Sequence, residues 1–600
     1  MSGRVSRCAL VADPRREGSW TDSHTHTHTH TRGKGGTFRF GERRLGMAAK
    51  LAALVLAIAH LACLARAQPA DPVADKFSTE CKTLGGQGSL LNECVVSKSQ
   101  SWIETDVVTV GGPGNITIGE NVTLAINIAS SQTSQDSGGF NITIGGHIEL
   151  LPGATIIGPT VYLSSKSLVL HERSAVNASG LGDGYRGTPF KNEYGAGYGG
   201  TGAACNVDAK MSRGACYGWT YDFSGVSFPF SQRGGGSHSA GKGGGRIYLE
   251  TEDNITLAGT IEANGLGSYS SPGGGGSGGS ITILSTYIVN NSTDYNAAIR
   301  ASGGPGTTVT DDLGASVPSG GGGGGRISVT CRQQFDSSIS LQAAGGRSTD
   351  NCTIGGSLNN GGAGTIFLSE KGAYGGGDQL HISNNGRGIE SLNTNEATTL
   401  GVFPESSLDK FVLQYFAVAE MSMDSTSTEI LARQVEMTSS SSLLFGNRNS
   451  YYPVPTLESE GRGVEDGTES PGGRMLVGLT IKADSFSMSN SVMDIHAGFL
   501  EYGGLYTTAG SFNLSDSSVV TIVAQTSSST VAVSKILGSV SITSGSSLIS
   551  DGKLFLSPFY QSHATVEIGS GTEEVDQQVG LPQFFSLLLP SPTFTTPRLR

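Results

Sequence analysis

The sequence predicts an all-β chain: a parallel β-helix or β-solenoid-like stack of repeats with glycine-rich turns and disulfide-bearing loop insertions. Three observations predict it. Glycine supplies 89 of 600 residues while charged residues make up 15%, against a usual charged share of about 25%. Hydrophobic residues come as short β-branched alternations, such as "NITIGGHIEL" from Asn141, the period-two pattern of a half-buried strand. Finally, a glycine run abuts a β-branched run four times: "GKGGGRIYLE" from Gly241, "GGGGSGGSITIL" from Gly273, "GGGGGGRISV" from Gly320 and "GGAGTIFLSE" from Gly361. A free Gly/Ser linker is random coil and has no reason to be followed by Ile-x-Leu, Ile-x-Ile or Ile-x-Val each time.

From the N-terminus, "MAAKLAALVLAIAHLACLARA" at Met47 has one lysine, an apolar stretch and Ala65-Arg66-Ala67. That is the layout of a secretory signal peptide cleaved after Ala67, and it is short for a membrane span, which needs about 20 apolar residues. Residues 1–46 read as a spurious or low-complexity leader, because "HTHTHTHT" from His24 is what a CA dinucleotide repeat encodes. The alternative, a His-rich metal-binding tract, has no structural context there. Residues 68–110 read as an N-terminal cap segment, and 111–450 as a glycine-rich β-solenoid.

Within 111–180, strand patterns recur every seven to fourteen residues with Gly, Pro, Ser or Asn between them. Aligned on the glycine junctions, Ile247, Ile281, Ile327 and Ile366 are separated by 34, 46 and 39 residues. A constant core pattern with a variable period is what a solenoid with loop insertions produces. The glycines are expected at turns, where φ > 0 or close backbone approach is needed. Polyproline-II segments packed side by side are the alternative that glycine also permits. Residues 371–450 look less regular, 451–474 read as an acidic Pro/Gly-rich linker or long loop, 475–570 as a second, Ser-rich array and 571–600 as a tail.

Removing residues 1–67, which hold eleven Lys/Arg and four Asp/Glu, takes the net charge from −12 to −19. An acidic chain lacks the electrostatic footprint for nucleic acid. Six cysteines remain, Cys81, Cys94, Cys205, Cys216, Cys331 and Cys352, an even number that reads as disulfides in a secreted chain. Spacing favours the local pairs Cys81–Cys94, Cys205–Cys216 and Cys331–Cys352. Sequons at Asn115, Asn121, Asn141, Asn177, Asn254, Asn290, Asn291, Asn351 and Asn513 point with the signal peptide to a glycoprotein.

Catalytic signals are weak. "GSHSAGK" from Gly236 matches most of a phosphate-binding loop, but Gly243 stands where a hydroxyl would hold Mg²⁺. Glu252-Asp253 and Asp311-Asp312 are adjacent pairs, and adjacent strand residues point to opposite faces. The histidines form no grouping with a serine motif. No catalytic, cofactor-binding or metal residue is nominated. The aromatics Tyr217, Trp219 and Tyr221, in "CYGWTYDFSGVSFPF" from Cys216, are candidates for ligand stacking, against the alternative of a small core under a loop.

The blocks "GAGYGGTGAAC", "ACYGW", "GGGGSGGSITI", "GGGGGGRISV", "AAGGRSTDNC" and "GGAGTIFL" occur in this order over roughly residues 80–570. In this the chain resembles the large plant glycine-rich cell-surface proteins, a group sometimes labelled ephrin type-B receptor-like. The resemblance implies a secreted β-rich ectodomain followed by C-terminal membrane helices, and no established biochemical activity. This chain ends before any membrane segment, so membrane attachment is expected only through a missing C-terminal segment. The functional expectation is a non-enzymatic, extracellular or cell-surface β-solenoid that is structural, adhesive or ligand-binding, with cell-wall polysaccharide or an extracellular protein as partner and no cofactor. The alternatives are a pectin-lyase-like carbohydrate-active enzyme and a truncated receptor ectodomain.

Overall fold

The computed structural model describes residues 78–568 apart from internal stretches, the longest being 128–137, 183–194, 206–240, 385–397, 446–476 and 524–532. The expected leader, signal peptide, 451–474 segment and tail lie outside the described residues, as do Cys216, Tyr217, Trp219, Tyr221 and Asn351. Among the described residues every regular element is a strand, save one 3-10 turn at Cys81–Leu84. The pairing is overwhelmingly parallel.

Up to residue 342 the chain cycles through three strands per repeat. Thr160–Ser165, Ser167–Leu170 and Ala175–Asn177 make one set, and Arg246–Thr251, Asn254–Leu257 and Thr260–Glu262 make the next. Each strand pairs with its counterpart in register: Val161 lies opposite Ile247, Leu168 opposite Ile255, Val176 opposite Ile261. Alternation then drives one face of every strand inward, so Ile247, Leu249, Ile255 and Leu257 are fully buried while Tyr248 and Glu250 face out. Ile247, Ile281, Ile327 and Ile366 stack in one column. The unequal spacing between them is therefore taken up outside the sheets.

The buried side chains form two clusters, one from Cys81 to Ile366 and one from Ala363 to Leu554. They meet at the strand Thr365–Glu370, which sends Ile366 into the first and Phe367 into the second. This strand continues the first ladder in parallel, then pairs antiparallel with Gly377–Ser383. From there the parallel ladder resumes through Leu408–Gln414, Thr428–Met437 and Ser485–Ser489. The segment that looks irregular in the sequence is thus in register. Its alternation is masked because Val412, facing away from Phe411 and Leu413, is buried too. In the Ser-rich array the inward column includes Phe486 stacked on Phe512 at 4.6 Å.

The glycine runs correct the turn expectation. Positive φ occurs only at Gly85, Gly88, Gly153, Gly180, Gly377, Gly538 and Gly545 among the described glycines, and none belongs to the four runs. Those runs are extended and buried, and their amides point in three directions in rotation. Gly322 donates to Gly304, Gly323 to Ala196, Gly324 to Gly362 and Gly325 to Ala301. The same three-residue recurrence takes Gly276 to Leu266 and Gly279 to Ala263, and Gly361 to Gly346 and Gly364 to Ala343. A β-strand alternates between two neighbours; a three-residue period is that of polyproline II. In the repeats that carry a glycine run, the chain leaves the third strand along a short Ala- and Gly-containing segment and the run lies antiparallel to such a segment.

Glycine is required there by contact with neighbouring backbone. A Cβ on Gly323 would sit 1.9 Å from the Gly200 carbonyl oxygen, and one on Gly324 1.9 Å from that of Ala343. The bundle also lies against the sheet: Tyr198 Oη is 2.6 Å from Ser280 Oγ, and the Arg326 guanidinium stands 4.7 Å from the Tyr198 ring centre. Both faces of these strands are consequently buried, Thr282 and Ser328 included.

Among the described residues two disulfides are present, Cys81–Cys94 and Cys205–Cys352. The second corrects the local pairing expected for both of its members. Cys331 is a free buried thiol, because it continues the inward column of Ile327 and Val329. Cys205 ends the segment that crosses the glycine bundle and so meets Cys352, 147 residues away. Disulfides persist in oxidising compartments, which places the folded chain in one.

Two predictions follow from this packing. Gly323→Ala, which cannot avoid a backbone carbonyl, should cost more than about 3 kcal/mol, whereas Gly503→Ala, with nothing within 4 Å of its added carbon, should stay within about 1 kcal/mol; chemical denaturation of both checks this. Cys352→Ser should lower stability by about 3–5 kcal/mol, since it opens a long loop, and should increase proteolysis of the bundle segments relative to the sheets.

Candidate functional site

The strand reversal leaves a gap. Thr365–Glu370 begins what would be the next three-strand repeat, but the chain turns back instead of supplying the second and third strands. Among the described residues no strand pairs with the far side of Ser340–Gln342, the last member of its sheet. The end of the first core is therefore open, and a groove of about 820 Å³ occupies it. Its floor is apolar: Phe335, Ile339 and Ile366 at 7%, 3% and 5% exposure, with Leu341 and Leu368 partly buried beside them.

The walls are polar and nearly uncharged. Gln333 and Gln334 come from the end of Arg326–Phe335, Gln379, His381 and Ser383 from the outward face of Gly377–Ser383, and Gln414 from the end of Leu408–Gln414. His381 Nε2 lies 3.1 Å from Gln379 Oε1. Burial pushes its pKa down to about 4; Lys410 adds to this and Glu436 opposes it. Lys410 is itself paired with Glu436 at 2.8 Å. Among the described residues Glu370 is the one carboxylate of the lining, and it accepts the Phe335 backbone N–H at 2.8 Å. Cys331, opposite Glu370 in the ladder, has its thiol pushed up to about 12 by burial, with Glu370 adding to the effect. It is a protonated core residue, not a nucleophile.

This arrangement offers hydrogen-bond donors and acceptors over an apolar floor, and no acid–base pair. Elsewhere His147 Nδ1 contacts Ser167 Oγ at 2.5 Å, and His171 Nε2 contacts Glu149 Oε1 at 2.7 Å. Glu252 and Asp253 are exposed at a turn, with Asp253 3.9 Å from Lys166. Among the sequons, Asn121, Asn291 and Asn513 are exposed, while Asn115, Asn141, Asn177, Asn254 and Asn290 are half-buried. Among the described residues no group of three or more His, Cys, Asp or Glu side chains could hold a metal ion, and no helix is long and apolar enough to cross a membrane.

Comparison of the chain with protein-family models, curated proteins and solved structures finds no match. The glutamines of the groove carry no sequence motif. Gln333 and Gln334 lie at the end of the ten-residue strand "RISVTCRQQF", which outruns its six-residue neighbour Thr365–Glu370.

The low pKa of His381 has a signed consequence. Unfolded, the imidazole takes a proton near 6.5; folded, it stays neutral down to about 4. Protonation therefore favours the unfolded chain as pH falls from about 6.5 to 4, and the penalty levels off below that. His381→Gln should lose less stability than wild type between pH 7 and 4, as urea midpoints at a series of pH values would measure.

Proposed function

We propose that the chain is a secreted or cell-surface glycoprotein whose strand sets close into a β-solenoid, and that it binds an extracellular ligand without cleaving it. The observation that carries this reading is the composition of the groove: an apolar floor, amide walls and one carboxylate already held by a backbone N–H. Glycoside cleavage uses two carboxyl groups flanking the bond, and a lyase-type proton abstraction needs a base with a matched pKa. The groove supplies neither. Two disulfides, exposed sequons and the apolar stretch ending at Ala67 support the extracellular setting. Among partner classes, cell-wall polysaccharide fits an open groove on a long, regular scaffold.

The reading is checked by producing the chain in a secretory host and incubating it with a panel of wall polysaccharides. Saturable retention without new reducing ends or unsaturated products is the expected outcome. Product release would establish the pectin-lyase-like alternative instead.

A further inference from the structure

The groove also carries a statement about the chemistry of its ligand. Glutamine amides present a donor and an acceptor on one planar group, as a sugar hydroxyl does on one oxygen. Four of them converge here from three strands: Gln333 and Gln334, Gln379, and Gln414. Beneath them the apolar floor matches the C–H face of a pyranose ring, and a cavity of about 820 Å³ lies in the range that small ligands fill.

Two tyrosines adjoin these amides, one through a hydrogen bond and one as the next residue in the chain. Tyr287, 38% exposed, lies opposite Gln334 in the ladder and donates its phenol O–H to Gln333 Oε1. Tyr415, 45% exposed, follows Gln414 directly. It occupies the left-handed region, with φ 55° at Tyr415 and 63° at Phe416. The comparable turns further along the stack are made by Ser439-Ser440, Asp516-Ser517 and Ser544-Gly545. A bulky aromatic pair is a costly choice for that backbone, and such outliers cluster at functional sites.

We propose that the groove binds one chain of an uncharged polysaccharide: the glutamine amides take its hydroxyls, the floor takes a ring face, and Tyr287 and Tyr415 stack on sugars at the rims. This rests on the non-catalytic binding role proposed for the chain. Neutrality is argued from charge. Among the described residues the lining holds Glu370 and no lysine or arginine, and nearby Lys410 is engaged by Glu436. A uronate would meet a like charge without a counter-ion, which is selection by repulsion.

The test titrates the full chain, by calorimetry, with cellohexaose, xylohexaose, mannohexaose and hexagalacturonic acid. Wild type is compared with the Gln333→Ala/Gln414→Ala double variant, Tyr415→Ser and, as a remote control, Ser541→Ala. At least one neutral hexasaccharide should bind, with hexagalacturonic acid at least tenfold weaker. The double variant should lose at least tenfold in affinity at an unchanged thermal midpoint. Tyr415→Ser should weaken binding without lowering the midpoint, an outcome that a merely structural tyrosine would not give. Tighter binding of the acidic sugar, or full affinity in the double variant, would overturn the groove assignment while leaving the binding role intact. Absence of binding by all four sugars would overturn the assignment as well, and retention on the polysaccharide panel would then decide the role separately.

Discussion

The rest of the structure depends on one steric constraint: backbones in the glycine bundle approach so closely that a carbonyl oxygen occupies the place where a side chain would begin. With about 2 Å between that oxygen and an added Cβ at Gly323, Gly324, Gly345 and Gly364, only glycine satisfies the packing. The gain is that successive amides such as those of Gly322, Gly323, Gly324 and Gly325 find carbonyls on other segments, so a stretch with no side chains to bury still makes hydrogen bonds. The three-fold rotation of those amides ties each run to three neighbours, where a strand would reach two.

This constraint explains why the chain tolerates uneven spacing between its core isoleucines. The sheets hold register through Ile247, Ile281, Ile327 and Ile366, while the bundle absorbs the insertions beside them. The disulfide between Cys205 and Cys352 closes the bundle across 147 residues of sequence, joining a crossing segment to the hairpin beside the last glycine run. Where the bundle stops, the regular succession of strand triplets stops too. The strand Thr365–Glu370 then serves two cores at once, and the open end of the first becomes the groove.

Much of the fold was legible in the sequence because parallel registry repeats residue types at equivalent positions: the β-branched alternations of 111–180 and the four glycine junctions mark the strands the structure contains. The role of the glycines was only half legible. Composition cannot distinguish a turn from an extended run, since the decisive fact is which segment lies alongside, and that is a long-range property. The same holds for Cys331: its spacing from Cys352 pointed to a pair, yet strand parity places it inward with Ile327 and Val329. The groove was illegible for a related reason. Gln333, Gln334, Gln379 and Gln414 span some eighty residues, carry no charge, and converge only because the ladder reverses its direction after Glu370.

The central claim is that the glycine runs are hydrogen-bonded extended helices and not flexible linkers or edge strands. Amide hydrogen exchange across residues 322–325 tests it most directly, since four successive amides have inter-segment carbonyl partners. Protection of all four to a similar degree is the result this account predicts. Exchange at random-coil rates, or protection at every second amide only, would contradict it.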